Sequence, residues 1–207
     1  MEFGPDVTRC ARIVSDGGVA VVATDTLYGL VANIHCTEAV GRVLAIKGRE
    51  IGRGIPVLAN DREQAAKISE FGDDAKRLSD VFWPGGLTMV LPASGSIDHR
   101  LHGPGSTVGI RVPDSDVVQL IIEIVGAPIT GTSANYAGEL PPETAKAAAD
   151  VLGNDVDYVL NTEVGSGTAS TIIHLGQTPP VVLREGVIAS RELGAILPGL
   201  RLAPDRT

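Results

Sequence analysis

The chain has 207 residues, of which 43% are hydrophobic and only 3% aromatic, so it can bury one large core of aliphatic side chains. Its formal net charge of −8 argues against unspecific nucleic-acid binding, which needs a basic surface. That balance still leaves room for a local cationic pocket that binds a small anion.

The sequence shows no sign of export or membrane insertion. No apolar run approaches the roughly 20 residues that span a bilayer, and the acidic N-terminus lacks the pattern of a signal peptide. The two cysteines, Cys10 and Cys36, form no CxxC pair, which fits a reducing compartment. We therefore expect a soluble, cytoplasmic protein with no membrane partner and a single domain over residues 1–207.

The N-terminal part begins with an amphipathic helix pattern at residues 6–15, followed by a continuous apolar run at residues 19–23. Such a run is typical of a strand buried on both faces. Residues 24–30 follow it with two hydroxyls, a carboxylate and a phenol. Because ligand sites in α/β folds lie at strand ends, Thr24 and Thr26 are candidate binding residues. A capping turn in which Asp25 or Thr26 accepts a backbone amide explains the segment equally well.

Lys47, Gly48 and Arg49 close the next predicted helix, Thr37–Ile46. Spacing from the apolar residues of that helix places Lys47 on the apolar stripe rather than on the solvated face. A lysine in that position snorkels to water, pairs with a carboxylate or faces a cleft. Two interpretations are open: an anion site shared with Arg49 and Arg53, or cations that complement the dipole of a helix end.

The rest of the chain keeps alternating between strand and helix patterns. We predict strands at residues 55–59, 87–91, 107–112, 128–130, 157–160, 170–175 and 181–183. We predict helices at residues 61–68, 73–82, 117–125, 143–152 and 190–197. Trp83, at a Pro-Gly corner, is interpreted as a packing anchor. The alternation, without a repeat or linker, indicates an α/β arrangement.

Small polar or cationic residues recur where the predicted strands end. They are Thr24, Thr26, Arg111, Thr132, Ser133, Asn135, Ser170, Thr171 and Arg184. If these ends converge, they line one cleft together with Lys47, Arg49 and Arg53. Arginine binds phosphate in bidentate pairs, and hydroxyl and amide groups donate to the remaining oxygens, so this set suits a polyphosphate.

Two other chemistries have weaker support. His99 and His102 stand three residues apart but have no third metal ligand nearby in sequence, so we predict no protein-held metal. Ser133 activated by Lys47 would make a serine–lysine nucleophile. There is no G-x-S-x-G elbow, however, and no histidine stands in the context of a triad.

Seven short segments, in this order, resemble the YrdC family of threonylcarbamoyl-AMP synthases in its stand-alone, single-domain form. The segments are TDTLYGL at 24–30, KGR at 47–49, WPGGLT at 83–88, VGIRVP at 108–113, TSAN at 132–135, STI at 170–172 and LREG at 183–186. The resemblance covers about residues 7–197. It implies a YrdC-like α/β (α+β) fold, a mixed twisted sheet with flanking helices around a concave, positively charged cavity.

The resemblance also implies a reaction. L-threonine, bicarbonate or CO2, and ATP carrying Mg²⁺ would become threonylcarbamoyl-adenylate and pyrophosphate. A separate transferase would then move the threonylcarbamoyl group to adenosine 37 of tRNA. The alternative is a YrdC-like RNA- or nucleotide-binding module without synthase activity, and the net charge of −8 makes direct RNA binding the weaker interpretation.

Roles for individual residues follow from the family match alone. Lys47 and Arg49 would be catalytic, facing the ATP phosphates and the carbamate. The ATP site would comprise Lys47, Arg49, Arg53, Ser133, Asn135 and Arg184. The threonine site would comprise Thr24, Thr26, Arg111, Ser170 and Thr171, with Arg111 against the threonine carboxylate.

Overall fold

The computed structural model describes residues 1–48, 54–94 and 97–204. Its α-helices within those ranges are α1 (Val7–Ser15), α2 (Thr37–Ile46), α3 (Arg62–Ala66), α4 (Asp73–Phe82), α5 (Asp116–Val125), α6 (Ala145–Leu152) and α7 (Ser190–Ile196). Its strands are β1 (Glu2–Gly4), β2 (Ala20–Ala23), β3 (Tyr28–Val31), β4 (Val57–Leu58), β5 (Leu87–Pro92), β6 (Thr107–Arg111), β7 (Ile129–Thr130), β8 (Thr132–Ser133), β9 (Tyr158–Leu160), β10 (Thr171–His174), β11 (Val181–Arg184) and β12 (Arg201–Leu202).

The helices begin at residues whose side chains satisfy free backbone amides. Asp6 caps α1 by accepting from the Arg9 amide at 2.8 Å, and Ser115 caps α5. The α5 helix ends at Gly126, whose φ of 70° lies in the left-handed region that glycine adopts without a steric penalty. No helix in the described part of the chain is long and apolar enough to cross a bilayer.

The strands divide between two mixed sheets. The five-stranded sheet has the order β1-β9-β2-β3-β8, and the seven-stranded sheet has the order β12-β11-β10-β5-β6-β4-β7. Strands β2 and β3 form an antiparallel hairpin, whereas β5 pairs with β10 in parallel and with β6 antiparallel. The predicted mixed α/β class is confirmed, with the strands divided between two sheets.

Alternating side chains of the five-stranded sheet enter two cores. Ala20 and Val22 pack with Cys10 of α1 and Ile121 of α5, so these helices cover one face of that sheet. The opposite face, which includes Val21, joins the apolar side of the seven-stranded sheet in the main core. Because a strand's side chains alternate between faces, one short apolar run serves both cores.

The structure corrects several sequence-based bounds. The four strands β1, β3, β8 and β12 were not predicted, and residues 55–59 form a regular strand only at Val57–Leu58. Helix α4 begins after Gly72, without a capping hydrogen bond from a side chain. The packing role of Trp83 is confirmed, because its Nε1 donates to the Leu87 carbonyl at 2.7 Å.

Candidate functional site

A cavity of about 890 Å³ is lined by residues of both sheets. This volume lies in the upper part of the range of about 300–1,000 Å³ for ligand pockets. Strands of the seven-stranded sheet present every second side chain to it, while the intervening side chains enter the main core. The cavity-facing set is Thr88, Val90, Thr107, Gly109, Arg111, Ile172 and His174.

Thr24, Thr26 and Leu27 line one side of the cavity. They belong to the loop that joins the antiparallel strands β2 and β3. The Thr24 hydroxyl oxygen accepts from the backbone amides of Thr26 at 3.1 Å and Leu27 at 3.2 Å. It also lies 2.9 Å from the Thr26 hydroxyl. Thr24 therefore caps this turn. The sequence-based alternative, in which Asp25 or Thr26 accepts the backbone amide, is corrected.

Asp25 instead pairs with Arg111 at the end of β6. The Arg111 NH1 group donates to Asp25 Oδ1 at 2.6 Å, and the two side chains are 6% and 14% exposed. A second guanidinium nitrogen lies 3.4 Å from the Thr24 hydroxyl. Burying a guanidinium is costly unless it is paired and hydrogen-bonded, so Asp25 is what allows a cation on this central strand.

The backbone of residues 165 and 166 fixes the position of Asp25. The Gly165 amide donates to the Thr24 carbonyl and the Ser166 amide to the Asp25 carbonyl, both at 2.9 Å. A Cβ at Gly165 would lie 2.3 Å from the Asp25 carbonyl oxygen, so only glycine fits this approach. The glycine turn after β9 thus buttresses the residue that pairs with Arg111.

Arg184 lies on the opposite side, at the end of β11. Its Nε and NH2 groups donate to the Ser170 carbonyl at 3.2 and 2.8 Å, and NH2 lies 3.3 Å from the Ser170 hydroxyl. Within the described residues it pairs with no carboxylate. Partial burial in the cavity wall lowers the pKa of Arg184, and the positive charge of Arg111 lowers it further, although the side chain stays accessible to solvent. The two guanidinium groups therefore share one cavity.

Lys47 lies directly behind the cavity wall and is 4% exposed. Its Nζ donates to the carbonyls of Ser133 at 2.9 Å and Asn135 at 2.7 Å, and to Asn135 Oδ1 at 2.9 Å. The inference that Lys47 turns toward the interior is confirmed. In this structure its ammonium group holds the segment that carries Ser133 at the cavity.

Asn135 and Thr171 also lie behind the lining. Asn135 Nδ2 donates to the carbonyls of Tyr136 at 2.9 Å and Glu139 at 2.7 Å. The fully buried Thr171 hydroxyl donates to the Ile188 carbonyl at 2.6 Å and accepts from the Gly186 amide at 2.9 Å. Both side chains are engaged in shaping the loops around the site.

The predicted residues thus fall into three groups. Those lining the cavity are Thr24, Thr26, Arg111, Thr132, Ser133, Ser170 and Arg184. Those directly behind it are Lys47, Asn135 and Thr171. Arg49 and Arg53 lie outside the described residues. The division of these residues between ATP and threonine stays a prediction.

Sequence reasoning missed four polar residues of the lining: Thr88, Thr107, His174 and Gln177. Strand alternation signals the first three, since each stands two or four residues from another cavity-facing position. His174 Nδ1 accepts from the Gly176 amide at 3.1 Å, and partial burial lowers the pKa of its imidazole. No three His, Cys, Asp or Glu side chains of the described ranges gather into a metal site.

Residues 12–186 match the model of the Sua5_yciO_yrdC family, described as "Telomere recombination". The chain belongs to this family. The relationship predicted from the seven sequence segments is thereby confirmed.

Curated relatives include threonylcarbamoyl-AMP synthases. The one from Pyrococcus abyssi is 31% identical over 196 residues, which cover 94% of this chain and 58% of that protein. The one from Coxiella burnetii (strain RSA 493) is 34% identical over 162 residues, which cover 77% of this chain and 85% of that protein. The chain thus spans less than two thirds of the P. abyssi family member and most of the C. burnetii one.

Solved structures show the same fold. P. abyssi Sua5 complexed with L-threonine superposes with a TM-score of 0.91 at 29% identity, covering 98% of this chain and 62% of that one. E. coli YciO superposes with a TM-score of 0.83 at 27% identity, covering 93% of this chain and 98% of that one. The YrdC-like fold is confirmed.

Proposed function

We propose that this protein is a threonylcarbamoyl-AMP synthase, a nucleotidyltransferase that joins L-threonine, bicarbonate or CO2, and ATP. The observation that carries the proposal is that relatives at 31% and 34% identity, from P. abyssi and C. burnetii, are threonylcarbamoyl-AMP synthases. A cavity with two arginines and several hydroxyls supports it, because these groups suit a carboxylate and a polyphosphate.

Threonine would occupy the side of the cavity formed by Thr24, Thr26 and Arg111, with its carboxylate against the Arg111 guanidinium. P. abyssi Sua5, solved with L-threonine, supports an amino-acid site in this fold. The ATP phosphates would lie toward Ser133 and Arg184, where the cation has no carboxylate partner among the described residues. We place Ser170 on this side as well, and not in the threonine site that the family match gave it, because it is hydrogen-bonded to Arg184. In this arrangement the threonine amine would lie beside the α-phosphate.

The proposed reaction has two steps and needs no covalent enzyme nucleophile. The threonine nitrogen attacks the carbon of CO2 and loses a proton, which forms a carbamate. A carbamate oxygen then attacks the α-phosphorus of ATP, and the bond from that phosphorus to the bridging oxygen breaks, releasing pyrophosphate. The protein would contribute by positioning the reactants and by placing cations beside phosphate and carbamate oxygens.

We propose that Mg²⁺ enters with ATP rather than on a protein site. The described residues offer no cluster of three candidate ligands, and Asp25 is already paired with Arg111. Magnesium commonly keeps several waters and is held by substrate phosphates, so the described residues need not supply a cluster of ligands for it. When bound, it would offset phosphate charge.

The product is a mixed anhydride that reacts readily with nucleophiles, so a group-transfer enzyme must consume it. We propose a separate tRNA threonylcarbamoyl transferase as that partner. The synthase itself needs no contact with the tRNA.

The test is to incubate the protein with ATP, bicarbonate and L-threonine and to measure pyrophosphate and threonylcarbamoyl-adenylate by mass spectrometry. We expect both products only when all three substrates are present, and Arg184→Ala as a matched control should form neither at a comparable rate. Pyrophosphate release without threonine, or nucleotide binding without any turnover, would favour the binding-module alternative.

A further inference from the structure

Among the residues that the structure describes, two guanidinium groups face the cavity, and one of the two has a carboxylate beside it. Arg111 is paired with Asp25 at 2.6 Å, whereas the hydrogen bonds of Arg184 go to the carbonyl and hydroxyl of Ser170. Both side chains line the same cavity.

We propose that Asp25 determines the specificity of the cavity by making the Arg111 side accept a net-neutral amino acid and reject phosphate. The inference rests on the proposed function and deepens it. Paired with Asp25, Arg111 presents hydrogen-bond donors with little net charge, which suits the carboxylate of a zwitterion. Arg184 keeps its full charge and so attracts the polyphosphate.

Backbone contacts fix the position of Asp25. Its carbonyl accepts from the Ser166 amide, and the absence of a side chain at Gly165 allows this close approach. Its carboxylate is 14% exposed and therefore poorly screened by solvent. A phosphate group that approached Arg111 would be repelled by the nearby carboxylate of Asp25. This repulsion selects against phosphate at the Arg111 side of the cavity.

Isothermal titration calorimetry with L-threonine and with inorganic pyrophosphate tests the proposal on wild type, Asp25→Asn and Arg111→Ala. We expect Asp25→Asn to bind threonine at least about tenfold more weakly, because Arg111 loses its orienting partner. The same variant should bind pyrophosphate several-fold more tightly, and pyrophosphate should then compete with threonine. Arg111→Ala should lose threonine without gaining pyrophosphate, and Asp25→Glu should recover part of the wild-type pattern.

Asp157→Asn is the matched control, because it removes an aspartate that pairs with Arg42 away from the cavity. Its affinities for both ligands should equal those of wild type. Gly165→Ala provides a second variant should Asp25→Asn fail to fold, since it displaces Asp25 while keeping the charge. It should weaken threonine binding.

The proposal would be overturned if Asp25→Asn bound threonine as tightly as wild type, or if it lost threonine binding without binding pyrophosphate more tightly. If Asp25→Asn does not fold, unchanged threonine affinity in Gly165→Ala would overturn it. A wild-type protein that binds threonine but forms no threonylcarbamoyl-adenylate would contradict the synthase function and leave the role of Asp25 standing. A wild-type protein that binds no threonine would contradict both.

Discussion

The two sides of the cavity treat the same kind of side chain differently. We call Thr24, Asp25, Thr26 and Arg111 the hairpin wall, and Ser170 with Arg184 the Ser170 wall. In the hairpin wall the guanidinium is buried against a carboxylate, whereas in the Ser170 wall it is solvent-accessible and bonded to neutral oxygens. The cavity therefore has two electrostatic environments, although both cations follow a strand in sequence.

Position in the sheet explains the difference. Arg111 ends β6, which has β5 on one side and β4 on the other, so its desolvation must be offset by a close opposite charge. Arg184 ends β11, with only the two-residue strand β12 beyond it, and water reaches the side chain. A cation near a sheet edge keeps enough solvation to remain unpaired and available to a ligand.

The largest expected effect comes from removing the cation of the Ser170 wall. Arg184→Ala should lower kcat/KM for ATP by about 100- to 1,000-fold, the range found when one donor to a developing anion is removed. The KM for threonine should change little, because the hairpin wall is intact. Initial-rate kinetics with each substrate varied in turn measure this.

Arg184→Lys is the control, since it keeps the charge and loses the bidentate geometry. It should retain more activity than Arg184→Ala. A rise in KM for threonine as large as the rise in KM for ATP would mean that the two walls do not act separately.

The second prediction concerns Lys47, which holds Ser133 between the walls. Lys47→Ala leaves four oxygens of residues 133 and 135 without that donor, so the free energy of unfolding should fall by about 1–3 kcal/mol. Turnover should be lost while circular dichroism shows an intact fold. Denaturant unfolding together with the pyrophosphate assay measures both, and near-normal turnover would contradict the family-based role of Lys47.

The sequence predicted local features of this site well. The bounds of the helix Thr37–Ile46 and the inward direction of Lys47 follow from 3–4 residue apolar spacing, and both are confirmed. The predicted strand at residues 170–175 and the observed Thr171–His174 differ only at their ends. Such features depend on neighbours in the chain, which the sequence displays directly.

Pairings between distant segments were not predictable in this way. Asp25 and Arg111 are 86 residues apart, and Lys47 and Asn135 are 88 apart, so no periodicity connects them. Strand β8 has only two residues, too few to show alternation, and its place beside β3 depends on the tertiary fold. A carboxylate next to a strand-end threonine therefore looked like a turn cap.

The third prediction separates two neighbours that were assigned the same role. Ser170 lines the cavity and supports Arg184, whereas the Thr171 hydroxyl is buried among the backbone groups of Gly186 and Ile188. Thr171→Val should lower the free energy of unfolding by about 1–3 kcal/mol, because it leaves those groups unsatisfied. Ser170→Ala should affect stability less and KM for ATP more.

Thermal unfolding and substrate kinetics on both variants provide the measurement. If Thr171→Val raised the KM for the substrate L-threonine and left stability unchanged, the Thr171 hydroxyl would contact substrate. The Ser170 wall would then include Thr171.

The smallest expected effect concerns His174, on the same cavity face as both walls. Burial lowers the pKa of its imidazole below the ordinary value of 6.5, so the folded state disfavours the protonated form. As the pH falls below about 6.5, His174 is protonated in the unfolded chain before it is protonated in the folded protein. The stability that the neutral imidazole contributes is complete above that pH and is lost below it. His174→Asn should therefore flatten the decline in unfolding free energy between pH 7 and pH 5, measured by denaturant titration. Identical pH profiles for wild type and His174→Asn would mean that the cavity solvates this ring as fully as open water does.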